Sequence, residues 1–294
     1  MSIYYSTFGI LIGARNVGKT WLLKTLGEKE YKNTVYISFE SNLEYAQIFK
    51  RDRNPKRIIQ ELSYLLRIKI EPHNTLIIFD EIHNAPDALA SLKYFYEDAN
   101  EYHVACASSL LGVTRNISAS FPVGKVSFLN VYPMTFDEFL GGIGEEFLAK
   151  FIKEYDQLEP ISTPIFNELN DKLKLYFMIS GMPKAVEVFS KNKDLNQIDD
   201  VLYSLKRSLN FDFTKNSSPY EIPKINAVFN SIPKELEKKN KKFQFNLVAP
   251  NARAREYDNA LEWLIDAGII YKINRSFEPK FPVSAYDEIN SFKI

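Results

Sequence analysis

The sequence predicts an α/β fold: a doubly wound parallel sheet, followed by a helical lid and a winged-helix-like segment. Three observations predict it. The octapeptide Gly13-Ala14-Arg15-Asn16-Val17-Gly18-Lys19-Thr20 follows an apolar run, Phe8 to Ile12, and opens into a helical pattern from Trp21. A second apolar run, Thr75 to Phe79, delivers Asp80 and Glu81 at its end. Strand and helix patterns alternate up to about residue 140, and the strand pattern then stops.

The elements follow in order. Residues 6–12 read as the first strand. Gly-x-x-x-x-Gly-Lys-Thr between a strand and a helix is the context of a phosphate-binding loop. Its backbone N–H groups turn inward, and the helix adds its positive dipole end. Gly13 and Gly18 permit close approach and unusual backbone angles. Residues 13–21, Trp21 included, are the expected nucleotide contacts; Lys19 reaches the β- and γ-phosphates and Thr20 ligates Mg²⁺. The helix from Lys19 is expected to close at Gly27.

Residues 34–39, Thr-Val-Tyr-Ile-Ser-Phe, are β-branched and aromatic and read as strand two. Helical patterns over 42–50 and 55–68 follow. The run 75–79 is continuously apolar, as in a strand covered on both faces. In open α/β sheets ligands bind at the carboxyl ends of strands, where Asp80 falls. Asp80 is expected to hold the metal, and Glu81 to act as general base on the attacking water.

A helix begins near Ala85-Pro86-Asp87. Residues 102–107 form the next strand and end in Ser108-Ser109. These serines suit a γ-phosphate sensor or a helix N-cap. Phe121 to Lys125 leads into a strand over 126–131. Thr135 caps a short helix, with Glu138 at the capping-box position. Gly141, Gly142 and Gly144 mark a hinge. Helices are expected at 145–156, 164–180, 183–191 and 196–211, with a break at Asn216-Ser217-Ser218-Pro219. Two further helices, 222–239 and 251–267, precede strands at 269–273 and 279–284. Helix, stop and hairpin give the outline of a winged helix. The resulting divisions are a core over 1–140, a helical lid over 141–217 and a winged-helix-like region over 218–294.

Composition sets limits. The 294 residues include 37 Lys+Arg and 37 Asp+Glu, so no global field points to nucleic acid. Residues 221–294 hold twelve basic and ten acidic residues, a weak footprint for DNA, which leaves protein contact or a lid role ahead of it. The single cysteine, Cys106, sits in an apolar run and reads as a core thiol. The N-terminus lacks a basic n-region, and no run approaches the roughly 18 apolar residues of a membrane span. A cytoplasmic protein without membrane contact is expected. No Asn-Lys-x-Asp occurs, so nothing argues for guanine. His73, His83 and His103 have no metal-ligand spacing, and His83 reads first as a solvated loop residue and second as a contact of Glu81.

Together these pieces resemble the AAA-type P-loop ATPases of bacteria and archaea that carry a winged-helix region and often a C-terminal nuclease-like domain. The resemblance rests on 13–20, Phe79-Asp80-Glu81-Ile82, Phe121-Pro122-Val123-Gly124-Lys125 and the run 132–140. Ser180-Gly181-Met182-Pro183-Lys184-Ala185-Val186 and Ala252-Arg253-Ala254-Arg255-Glu256-Tyr257 extend it. It implies MgATP as ligand, hydrolysis as activity and a homo-oligomer in which a basic residue touches the neighbour's nucleotide. Many relatives have arginine at the position of Lys125. Lysine lacks the bidentate fork and is weaker there; the other reading of Lys125 is a plain surface lysine. Relatives also carry a helix before the first strand and continue past Ser284-Ala285-Tyr286. The resemblance therefore implies a truncated member. DNA contact by the last region and a nucleotide-binding remnant without turnover stand as the alternative functions.

Overall fold

Five parallel strands, in the spatial order β2-β3-β4-β1-β5, form the larger of two sheets. They are β1 (Phe8–Gly13), β2 (Asn33–Ser38), β3 (Thr75–Asp80), β4 (His103–Ser109) and β5 (Ser127–Asn130). The computed structural model describes residues 8–109, 125–156 and 158–294. The expected start of β1 at residue 6 and the segment 121–124 lie outside the described residues.

Helices cover both faces. On one lies α1 (Lys19–Glu30). On the other lie α2 (Ala46–Arg51), α3 (Pro55–Leu66) and α4 (Pro86–Asp98). Alternation along β3 divides the core. Leu76 and Ile78 pack with Leu23, Ala105 and Ala107 on the α1 side. Ile77 and Phe79 pack with Val35, Ile37, Phe49, Ile58, Leu62 and Leu92 on the other. All six residues of β3 are buried, which explains its unbroken apolar run. The rings of Phe39, Phe49 and Phe79 meet at 5.5–5.8 Å between centroids. Each fully buried phenylalanine contributes roughly 1.5–3 kcal/mol.

Two glycine readings are corrected. Gly27 does not end α1, which continues one turn to Glu30. A Cβ at Gly27 would lie 2.3 Å from Thr34 Oγ1, so this glycine lets α1 lie against β2. Gly141 and Gly142 are the last turn of α5 (Phe136–Gly142) rather than a linker, and a Cβ on Gly142 would press Val186 at 2.9 Å. The capping bond is present: Thr135 N–H donates to Glu138 Oε2 at 2.9 Å.

Further helices follow: α6 (Glu146–Glu154), α7 (Thr163–Ile179), α8 (Pro183–Asn192) and α9 (Asn196–Asn216). Phe139, Ile179, Val186, Phe189 and Ile198 form their core. The chain falls into two compact units, 1–205 and 206–294, and the division lies inside α9.

The second unit holds α10 (Ile222–Glu237), α11 (Phe245–Val248), α12 (Ala254–Asp266) and the antiparallel pair β6 (Ile273–Ser276) and β7 (Asp287–Lys293). Phe213, Val228, Leu261, Trp263 and Leu264 form its interior. A hairpin follows α12 as expected, but later in sequence. The N–H groups of Ile269 and Ile270 both return to Leu264 O, closing the helix instead of starting a strand. Pro279 and Pro282 have no N–H to give a ladder, and a short 3-10 turn, Val283–Tyr286, precedes β7.

Candidate nucleotide and metal site

The carboxyl ends of β1, β4 and β3 bring the sequence-predicted residues to one edge. β4 lies between the other two. Its Ser109 is level with Gly13 of β1, and its Ala107 is level with Asp80 of β3. With strands about 4.8 Å apart, the loop after β1 and the acid of β3 stand roughly 10 Å apart in the sheet. The first turn of α1 crosses that distance. Thr20 Oγ1 donates to Asp80 Oδ2 at 2.8 Å.

The loop has the backbone that a phosphate cradle needs. Asn16 and Gly18 are left-handed, at φ 66 and 98; asparagine and glycine tolerate this region. Gly13 answers to space: a Cβ there would lie 2.1 Å from Val131 O. Lys19 is buried, and its ammonium donates to Gly13 O at 3.1 Å and Ala14 O at 2.8 Å. Arg15 pairs with Glu40 at 3.3 Å. Trp21, in the first turn of α1, is two-thirds exposed at 67%.

Asp80 is held on both oxygens. Oδ2 accepts from Thr20 and, at 2.7 Å, from Tyr36 Oη; Oδ1 accepts from Glu81 N–H at 3.1 Å. Burial and the bond to Asp80 push the Tyr36 hydroxyl pKa up. A hydroxyl beside a carboxylate is the hard-oxygen set that Mg²⁺ prefers, with phosphate and water completing its octahedron. The residues fit the ion. Among the described residues no cluster of three or more His, Cys, Asp or Glu offers another metal site.

Glu81 has left-handed backbone at φ 51. Its Oε2 accepts from Ser109 N–H at 3.3 Å and lies 3.2 Å from His83 Nδ1. Burial raises its pKa; Lys19 opposes this, while Asp80 and Glu40 add to it. His83 is not a solvated loop residue. The 3-10 turn Ile82–Asn84 folds it inward, and its Nδ1 also lies 3.0 Å from Ser108 Oγ. Ser108 Oγ donates to Ser109 O at 3.1 Å, so the serine oxygen is placed to accept from a protonated Nδ1. Ser108 is thus joined to Glu81 through the imidazole. Ser109, alternating with it, is on the face shared with Asp80.

Lys125 stands elsewhere. It precedes β5, whose first residue pairs with Gly9, so it lies at the edge opposite Gly13. Its ammonium is 3.6 Å from Glu97 and 4.8 Å from the Tyr96 ring centre. Cys106 is fully buried, with its thiol pKa raised by burial, in accord with a core thiol. Sequence reasoning missed Tyr36 and ranked His83 wrongly. The aromatic at the third-last position of β2 was the available signal for Tyr36.

A chain of contacts leaves the loop for the helices. Val131 N–H donates to Ile12 O at 2.7 Å. Three residues on, Met134 N–H donates to Gly181 O at 2.7 Å, and Tyr176 Oη donates to Met134 O at 2.8 Å. A Cβ on Gly181 would lie 2.3 Å from Met134 O.

Residues 6–140 match the family model described as AAA domain, and residues 170–294 match a domain of unknown function, DUF8612. No curated protein matches the chain. Solved structures align with low similarity. Drosophila ORC bound to DNA is 11% identical, with 98% of this chain and 86% of that chain covered and a TM-score of 0.39. The Thermotoga maritima RuvB Holliday junction branch migration motor is 14% identical, with 87% and 79% covered and a TM-score of 0.39. C. elegans PCH-2 is 14% identical, with 70% and 62% covered and a TM-score of 0.38. Residues 6–140, which carry the phosphate-loop motif and the acidic strand end, are thus an AAA-type P-loop domain.

Proposed function

We propose that this protein binds MgATP and hydrolyses it, and that turnover shifts its helical and hairpin-bearing regions. The observation that carries the reading is the 2.8 Å bond from Thr20 to Asp80, between groups 60 residues apart in sequence. It joins the helix that begins at the phosphate loop to the acid at the end of β3.

Each residue then has a task. Lys19 and the loop N–H groups bind the phosphates, with the ammonium leaving Gly13 O and Ala14 O for the incoming anion. Thr20 and Asp80 hold Mg²⁺, which supplies charge neutralisation at the phosphates. Glu81 accepts a proton from the attacking water. Ser109 reads the γ-phosphate, and Ser108 acts on Glu81 through His83. Lys125 reaches the nucleotide of a second copy, as a weaker counterpart of an arginine finger.

Calorimetry and phosphate release test this. Lys19→Ala is expected to abolish ATP binding. Glu81→Gln is expected to bind ATP within about 3-fold of wild type and to lose 10²–10⁴-fold in turnover, the usual worth of a general base. Unchanged affinity in the first removes the binding assignment. Wild-type turnover in the second removes Glu81 as base, and a wild-type protein that binds without turning over leaves the remnant reading.

The order helix, short helix, helix, hairpin in the second unit supports a winged-helix reading, and with it DNA contact. Internal pairing of part of the basic charge weighs against a DNA regulator. Lys272 pairs with Glu262 at 3.3 Å, Arg275 with Glu288 at 3.5 Å, Lys280 with Glu278 at 2.6 Å and Lys238 with Glu235. Basic groups neutralised within the unit contribute little to phosphate attraction.

A further inference from the structure

We propose that Tyr36 is a positioning residue for the metal site, locking the Asp80 carboxylate so that the site favours Mg²⁺ over the larger Ca²⁺. This rests on the MgATP reading above and assigns a specificity device to the same site.

The argument starts from the carboxylate's capacity. Asp80 has about four lone-pair directions. Three are taken: Thr20 Oγ1 and Tyr36 Oη on Oδ2, and Glu81 N–H on Oδ1. One direction on Oδ1 remains for a metal-bound water or the ion itself. A carboxylate's terminal torsion is intrinsically broad, so these bonds, not the rotamer, hold its plane.

Tyr36 is suited to that task because it is itself fixed. Its backbone pairs with Ile78 of β3, partway along the edge strand β2. The Lys24 ammonium lies over its ring, 3.9 Å from the centre. Lys24 is on α1, one turn beyond Thr20. The helix therefore touches Asp80 directly through Thr20 and indirectly through Lys24 and Tyr36. Elements α1, β2 and β3 all bear on one carboxylate.

Rigidity of this kind discriminates between cations. Mg²⁺ takes six ligands in a near-ideal octahedron and keeps its waters. Ca²⁺ takes six to eight and uses bidentate carboxylates in flexible geometry. A carboxylate with one free direction and a fixed plane serves the first and not the second. Removing the tyrosine hydroxyl frees a lone pair and the plane together.

The test is Tyr36→Phe, which keeps the ring and its packing. Binding of an ATP analogue with an imido bridge between the β- and γ-phosphates is measured by calorimetry in EDTA and across MgCl₂ and CaCl₂ series. In EDTA the variant is expected to match wild type. The Mg²⁺ half-saturation is expected to rise about 10-fold, the lower end for loss of an outer-shell partner. The Ca²⁺ value is expected to move much less, so the preference for Mg²⁺ narrows. Lys24→Met, which keeps the hydroxyl and loosens the ring, is expected to shift the preference in the same direction by less, and it decides the matter if Tyr36→Phe does not fold. Normal analogue binding with an unchanged Mg²⁺ to Ca²⁺ preference overturns the role of Tyr36 and leaves the ATP reading standing. Failure of the wild type to bind the analogue, with or without metal, overturns both.

Discussion

Glu81 shows most about this molecule at the scale of one residue. Its left-handed backbone costs roughly 1–2 kcal/mol for a side chain that bears a Cβ. Its carboxylate is buried, close to Asp80 and opposed by Lys19. Because its pKa is raised, its base form is reached at higher pH than that of an ordinary glutamate, near 4.3. Turnover is expected to fall on acidification with a midpoint above that value, and the residual rate of Glu81→Gln is expected to lack that limb; a pH series of phosphate release checks both. Stability has a matching sign. Between the unfolded and the raised folded pKa the native state binds more protons, so this group's contribution declines as pH rises through that window. Lys19, Thr20, Asp80 and Glu81 were legible in the sequence because their chemistry is tied to spacing along the chain. Tyr36 and His83 were not. The first lies 44 residues from Asp80 and reaches it through strand order. The second is turned inward by a single 3-10 turn that periodicity does not register.

Among the elements, β3 was the most readable, because a strand buried on both faces leaves no polar alternation to misread. Helix ends were less so. Gly27 has the composition of a stop but serves as a gap for Thr34. Gly27→Ala is expected to destabilise the sheet unit by about 1–3 kcal/mol through overpacking, and adding Thr34→Ala is expected to recover part of it. Urea denaturation of the single and double variants measures the coupling. The hairpin of the second unit was foreseen in kind and misplaced in position. Its apolar stretch 269–270 looks like a strand in isolation, yet its amides are taken by the end of α12. Only the hydrogen-bond accounting of the folded unit separates the two outcomes.

For the whole molecule, the end of the parallel sheet was readable from where strand patterns stop. What each region does to another was not. Lys125 illustrates this: within its own chain it pairs with Glu97 at the far edge of the sheet. The proposed contact in trans makes turnover per chain rise with protein concentration. Lys125→Ala is expected to flatten that rise while leaving ATP affinity at the same dilute concentration unchanged, as followed by phosphate release across a dilution series beside sedimentation.

The peptide rung between Met134 and Gly181 gives the helices a second attachment to the phosphate end of the sheet. The covalent route from Asn130 to α8 runs through some fifty residues, whereas the rung shortcuts it within four of β5. Lengthening the chain at Gly144 would therefore slacken the rope without untying the knot. A bulkier residue at Gly181 would untie it and leave the rope intact.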